Sequence, residues 1–210
     1  HCNWNTVMFS PSDPDLWMRQ LRVSETARAR GGRVVPQVIP HNFRTRTDFL
    51  DAELGFRNLP GWEWLFALDV PQRCRALDDP TTRRRLRTSL ETAANPFAAL
   101  YRDSLERIVV NDVDDPERFG HVLGRSLGEL ARARGDGDAL DTLFDLVVAT
   151  GLGVGLCRFA YDEADTAIHE ARRRVIQDPR VLLGASDGGA HLDGTVNTEY
   201  PTACFAELVR

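Results

Sequence analysis

Asp187 and His191 stand four residues apart in Ser186-Asp187-Gly188-Gly189-Ala190-His191, at the polar end of the apolar run Val181-Leu182-Leu183. Two further histidines, His1 and His41, are separated by what reads as a helix and a strand. Neutral imidazole and carboxylate are good ligands for zinc and similar divalent ions, and a hydrolytic metal site keeps one coordination position open for water. The metal lowers the pKa of that water toward neutrality. A carboxylate beside it can then take the proton and return it to a leaving amine. Each histidine taken alone is equally readable as a structural or an exposed side chain.

These residues need elements to hold them. Val181 to Leu183 reads as a strand buried on both faces, because its apolar side chains do not alternate with polar ones, the pattern of parallel sheets and barrels. Gly188-Gly189 lets the chain turn at its end, which puts Asp187 and His191 at the C-terminal edge of a sheet. In barrel enzymes that edge carries the chemistry. His1 to Val7 reads as a strand end and its loop, and Arg33 to Ile39 as the next strand, with Pro36 weakening it by removing a ladder donor. His41 would follow that strand's C-terminal end. A helix from Ser12 or Asp13 to Gly31 joins the two.

Further along, helices are expected from Asp79-Pro80 to Ala94, after the cap residue Ser126, from Ala139 to Val148, from Glu163 to Ile176, and from Pro201 onward. Leu105 to Val110 reads as a strand. Between about residues 43 and 77 the pattern is irregular and aromatic (Phe49, Phe56, Trp62, Trp64, Phe66), with short helices near 48–54 and 61–68. That stretch is either an insertion over a barrel mouth or a satellite hydrophobic cluster. Gly151, Gly153 and Gly155 follow a helix, whereas a dinucleotide loop follows a strand and opens a helix, so nucleotide binding is not expected. Strands alternating with helices give an α/β class with parallel pairing in one domain over residues 1–210.

Composition narrows the function classes. The chain of 210 residues is 42% hydrophobic and 27% charged, enough for a sizeable core and unlike a disordered segment. No apolar stretch approaches the roughly 18 to 20 residues that span a bilayer and no signal peptide is visible, so the expected location is cytoplasmic, with no membrane partner. A net charge of -5 argues against nucleic acid as partner despite Arg83-Arg84-Arg85 and Arg172-Arg173-Arg174, which read as solvated helix faces. All 26 basic residues are arginine, so this segment offers no lysine as base, Schiff-base former or carboxylated metal bridge. Four widely spaced cysteines suggest reduced thiols. A first residue that is histidine suggests a piece of something longer.

Gly184-Ala185-Ser186-Asp187-Gly188-Gly189-Ala190-His191, followed by Tyr200-Pro201-Thr202 and ending Leu208-Val209-Arg210, closely resembles the C-terminal motif region of N-acyl-D-amino-acid deacylases and their relatives in the metal-dependent amidohydrolase superfamily. Leu77-Asp78-Asp79-Pro80, Gly124 to Ala131 and Leu143-Phe144-Asp145-Leu146 are similar to blocks that precede the motif in this group, and His1 with Asn3-Trp4 is similar to its strand-five segment. The resemblance implies the later half of a distorted (β/α)8 TIM-type barrel that hydrolyses an amide bond of an N-acyl (D-)amino acid with one or two divalent metals, usually zinc. It implies Asp187 as general base and acid and as a metal ligand, His1 as the strand-five ligand, and Ser186 and His191 as groups that orient Asp187 or the substrate. His41 lies where the family commonly carries an Asp-x-Tyr-Pro-Tyr segment, so it is either a metal ligand or the replacement of a pocket tyrosine.

Two features depart from the family. Its His-x-His pair and its bridging cysteine or carboxylated lysine are not found here, and Cys2 cannot bridge beside His1, because successive strand side chains point to opposite faces. The alternative is therefore a non-catalytic or degenerate amidohydrolase fragment with an incomplete metal site. An open half-barrel exposes strand edges, which predicts aggregation, a homo-oligomer, or pairing with a missing N-terminal half-barrel.

Overall fold

The computed structural model describes residues 1–10, 13–41, 44–50, 55–135, 137–159, 165–184 and 200–208. In chain order the elements are β1 (Cys2–Trp4), α1 (Leu16–Ala29), β2 (Val34–Val38), β3 (Arg44–Thr47), α2 (Glu63–Phe66), α3 (Val70–Asp78), α4 (Pro80–Thr92) and α5 (Pro96–Ser104). They continue with β4 (Val109–Asp112), α6 (Pro116–Phe119), α7 (Leu127–Arg134), α8 (Ala139–Ala149), β5 (Gly155–Phe159), α9 (Thr166–Ile176), β6 (Leu182–Leu183) and α10 (Tyr200–Leu208). The fold is mixed α/β, and it separates into two compact units: residues 1–43 with 160–210, and residues 44–159. One domain with an excursion over about 43–77 was the expectation from the sequence.

The first unit holds a three-stranded parallel sheet in the order β1-β2-β6. Parallel neighbours need a crossover, and α1 supplies the one between β1 and β2. Pro36 sits inside β2 opposite Trp4, so the proline is accommodated in the strand. Leu21 of α1 and Ile168 and Val175 of α9 are buried with Val38, Val7 and Phe9. α9 starts at an Asp165 cap whose carboxylate accepts from the N–H groups of Ala167 and Ile168, satisfying two of the free donors at a helix start.

The second unit is mostly helical around a small antiparallel sheet in the order β3-β5-β4. Its helices begin at side-chain caps. Asp69 and Gln72 form a reciprocal capping box at α3, Ser126 and Glu129 form another at α7, and Asp79, Asn95 and Asp138 cap α4, α5 and α8. α7 ends at Gly135 with φ +85°, a left-handed position that suits glycine. The amphipathic α8 buries Leu140, Leu143, Phe144 and Val147 against an aromatic group of Phe49, Phe56 and Trp62. Among the described residues neither sheet closes on itself into a barrel.

Candidate functional site

The parallel sheet fixes where each strand end lies, and so where the sequence-derived site residues stand. Cys2 pairs with Val34, and its N–H donates to the Arg33 carbonyl at 2.9 Å. His1, one residue earlier and exposed, therefore stands at the N-terminal end of β1 and β2. His41 is buried, 7% exposed, and follows the C-terminal end of β2. At about 3.3 Å per residue β2 alone separates these ends by about 13 Å. Two ligands with bonds of about 2 Å share one ion only when they are within about 4 Å of each other. The structure does not bring His1 and His41 together.

The C-terminal edge of this sheet is organised by backbone bonds from three strands. Beyond β1, the Val7 N–H and the Thr6 hydroxyl both donate to the Gln37 carbonyl, at 2.8 and 3.1 Å. Beyond β6, the Gly184 N–H donates to the Val38 carbonyl at 3.0 Å. Gly184 has φ +148° and lies at the same strand end as Ile39, Pro40 and His41. The buried Arg172 of α9 donates to the Pro40 carbonyl at 3.2 Å, which holds the His41 loop from below. Ser186, Asp187 and His191 continue from Gly184 and lie outside the described residues.

Among the described residues no group of three or more His, Cys, Asp or Glu side chains lies together in a way that could hold a metal ion. Cys2, Cys74, Cys157 and Cys204 are free thiols. Among the described residues no helix is long and apolar enough to cross a membrane.

The second unit contains a polar cavity of about 390 Å³ that the pattern of the sequence did not announce, lined by Asp78, Arg83, Arg84, Arg87, Asp141 and Asp145 among others. Its charges are largely spent on one another. Arg83 donates to Asp145 at 2.6 Å and to the Leu77 carbonyl at 2.6 Å, and Arg134 reaches the other oxygen of Asp145 at 2.5 Å. Arg87 bridges Asp138 at 2.9 Å and Asp141 at 3.0 Å. Burial pushes the carboxyl groups of Asp145 and Asp138 up, but the arginine hydrogen bonds outweigh it and hold both below the usual carboxylate value. Arg85 lies over the Trp64 ring at 4.7 Å. The run Arg83-Arg84-Arg85, expected as a solvated face, thus ties α4 to α8 through Arg83 and packs on an indole through Arg85.

Compared with family models, with curated proteins and with solved structures, the chain has no match. The functional reading therefore rests on its own residues and on where the sheet places them.

Proposed function

We propose that this chain forms the later part of a metal-dependent amidohydrolase barrel that hydrolyses an amide bond, with N-acyl (D-)amino acids as substrate class and Asp187 as general base and acid. The observation that supports it is the departure point of the motif. Gly184, the first residue of the motif block, stands at the C-terminal end of β6, a strand parallel to β2, next to the Ile39–His41 loop, and the rest of the block lies outside the described residues. That is the strand end at which barrels carry their active sites. In this reading Asp187 takes the proton of the attacking water and delivers it to the leaving nitrogen, and Ser186 and His191 orient the reacting groups. A cytoplasmic location belongs to the same proposal, in keeping with four free thiols.

The described side chains do not fit a divalent metal, because they form no three-ligand group and His1 lies at the far strand end. The same observation favours a second reading, a non-catalytic or degenerate amidohydrolase fragment that keeps the fold without assembling a metal site.

One pair of measurements separates them. In the first reading the complete enzyme that contains this chain, supplied with zinc, turns over an N-acyl-D-amino acid, and Asp187→Asn in it lowers kcat by about 10² to 10⁴ while zinc content stays within about twofold. Turnover within a few-fold of the parent removes Asp187 from the mechanism. A parent that shows no turnover and retains less than about a tenth of an equivalent of zinc supports the second reading.

A further inference from the structure

At the N-terminal ends of β2 and β6, the opposite strand ends from Gly184, the first unit has a cavity of about 110 Å³ whose lining includes Ser24, Arg28, Arg33 and Arg180. Ser24 is 7% exposed, and its hydroxyl is buried without a hydrogen-bond partner among the described residues. A serine inside a helix commonly bonds back to the carbonyl four residues earlier. Ser24 does not, and an unmet buried hydroxyl lowers stability. It is a donor held in reserve at the wall of a cavity.

The arginines around it differ in what they are already doing. Arg180 donates to Asp178 at 2.6 and 2.9 Å and is also paired with Glu25. Arg28 and Arg33 have no carboxylate, carbonyl or ring partner among the described residues. Glu25 and Asp178 are both engaged by Arg180. Arg28, in the last turn of α1, also offsets the negative carbonyl end of that helix, which would otherwise repel an anion. Two uncommitted guanidinium forks and a hydroxyl donor make a set suited to a tetrahedral oxyanion. At about 30 Å³ per water the cavity has the room of three or four waters, which suits one such ion and excludes a nucleotide.

We infer that this cavity is a binding site for a compact phosphate-class oxyanion, held by Arg28, Arg33 and the Ser24 hydroxyl. It pins the end of α1 to the start of β2, at the strand ends opposite Gly184, and the inference does not rest on the proposed chemistry. The ion is either free phosphate or the phosphate of a small monoester, which share this recognition chemistry.

Calorimetric titration of the chain with inorganic phosphate, and separately with glycerol phosphate, at ionic strength held constant with chloride, tests this. One saturable site for either ligand is expected, and the tighter ligand identifies the source. Arg28→Ala and Arg33→Ala should each weaken binding about tenfold or more, as loss of a charge-assisted hydrogen bond does. Ser24→Ala should weaken it about fivefold, yet raise the melting temperature in phosphate-free buffer because the unmet hydroxyl is gone. Arg30→Ala, which removes the same charge one turn-step away but outside the cavity lining, should leave binding unchanged. Non-saturable heats, undiminished affinity in an Arg28→Ala/Arg33→Ala double variant that circular dichroism shows to be folded, or an equal loss with Arg30→Ala would each overturn the site.

Discussion

Residues 44–159 and the unit formed by residues 1–43 with 160–210 use the same kinds of element but bury them differently. In the second unit Trp62, Phe49, Phe56 and Phe144 are fully buried, with ring centroids 4.8 to 6.4 Å apart, and helices with side-chain caps enclose them. In the first, parallel strands are left in the open: β1 runs exposed to half-buried, and Leu182 of β6 is 48% exposed. Parallel strands are ordinarily covered on both faces. Among the described residues the outer strands of the parallel sheet, β1 and β6, pair on one side only and carry these exposed side chains. That contrast separates a unit with an enclosed aromatic core from one whose outer strands are thinly covered.

The largest effect should come from separating them. Residues 44–159 expressed alone are expected to unfold in urea as one cooperative transition, because their core is internal to them. A chain in which 44–159 is replaced by a short Gly/Ser linker should aggregate through its exposed strand edges. Light scattering decides it: a monodisperse monomer of the linked variant would show that the parallel sheet is stable as it stands.

Next in size are truncations matched across the two cores. Trp62 is fully buried, stacks with Phe56 at 5.9 Å, and donates its indole N–H to the Leu86 carbonyl at 3.1 Å. Trp62→Ala should cost about 4 kcal/mol through cavity formation and the lost indole hydrogen bond. Leu21→Ala, at an equally buried position of the smaller core, should cost about 2 to 3 kcal/mol. Equal losses, measured as shifts in urea midpoint at unchanged slope, would erase the distinction between the cores.

Much of the helical framework could be read from the sequence because its signals are local. Asp79-Pro80, Ser126 with Glu129, and Asp138 mark helix starts, and α4, α7 and α8 begin there. Asp69-Val70-Pro71-Gln72 carries the same kind of signal, yet α3 was passed over amid the surrounding aromatics. Asn95-Pro96 follows the expected helix and caps α5 at once, since proline is as much at home in a first turn as after a last one. β3, whose sequence is Arg44-Thr45-Arg46-Thr47, has no apolar alternation, and only its pairing with β5 makes it a strand. Leu105–Arg107 is a 3-10 turn where a strand was expected, and the strand starts at Val109. For the candidate site, the sequence named residue types, but which end of a strand each occupies is set by register, a property of two segments at once. The sequence pattern puts His1 near a strand's C-terminal end, whereas register places it at the N-terminal end of β1.

A medium effect should follow from Arg73, a buried cation whose guanidinium donates to the backbone. It reaches the carbonyls of Phe49, Leu50 at 2.7 Å, Leu65 at 3.2 Å, Phe66 at 3.1 Å and Leu68 at 2.8 Å. These are the carbonyls of a loop and of the C-terminal end of α2, where helix carbonyls run out of intrahelical donors. Arg73→Met keeps much of the volume and removes every donor, so a loss of about 2 to 3 kcal/mol is expected, together with faster amide exchange at 65–68. An effect below about 0.5 kcal/mol would mean that water replaces the guanidinium without penalty.

The smallest expected effect is electrostatic, and its sign is fixed by direction alone. Asp145 is held below the ordinary carboxylate value because the hydrogen bonds from Arg83 and Arg134 together outweigh the opposing effect of burial. A carboxyl whose pKa falls on folding contributes stability that is present above its unfolded value, about 3.9, and is lost as pH drops through the lower folded value. Its side chain is 34% exposed, so solvent screening limits the contribution to about 1 kcal/mol or less. Asp145→Asn should therefore lower the urea midpoint at pH 7, with the gap to the parent closing as pH falls below about 3.9. The same titration in 1 M salt should narrow the gap at pH 7, because the pair is partly exposed and screening at about 3 Å reaches it. A gap that stays constant from pH 7 to pH 2.5 would show that Asp145 acts in the α4–α8 contact through shape and hydrogen bonding, and that the charged network of the second unit adds nothing to the packing that distinguishes it from the first.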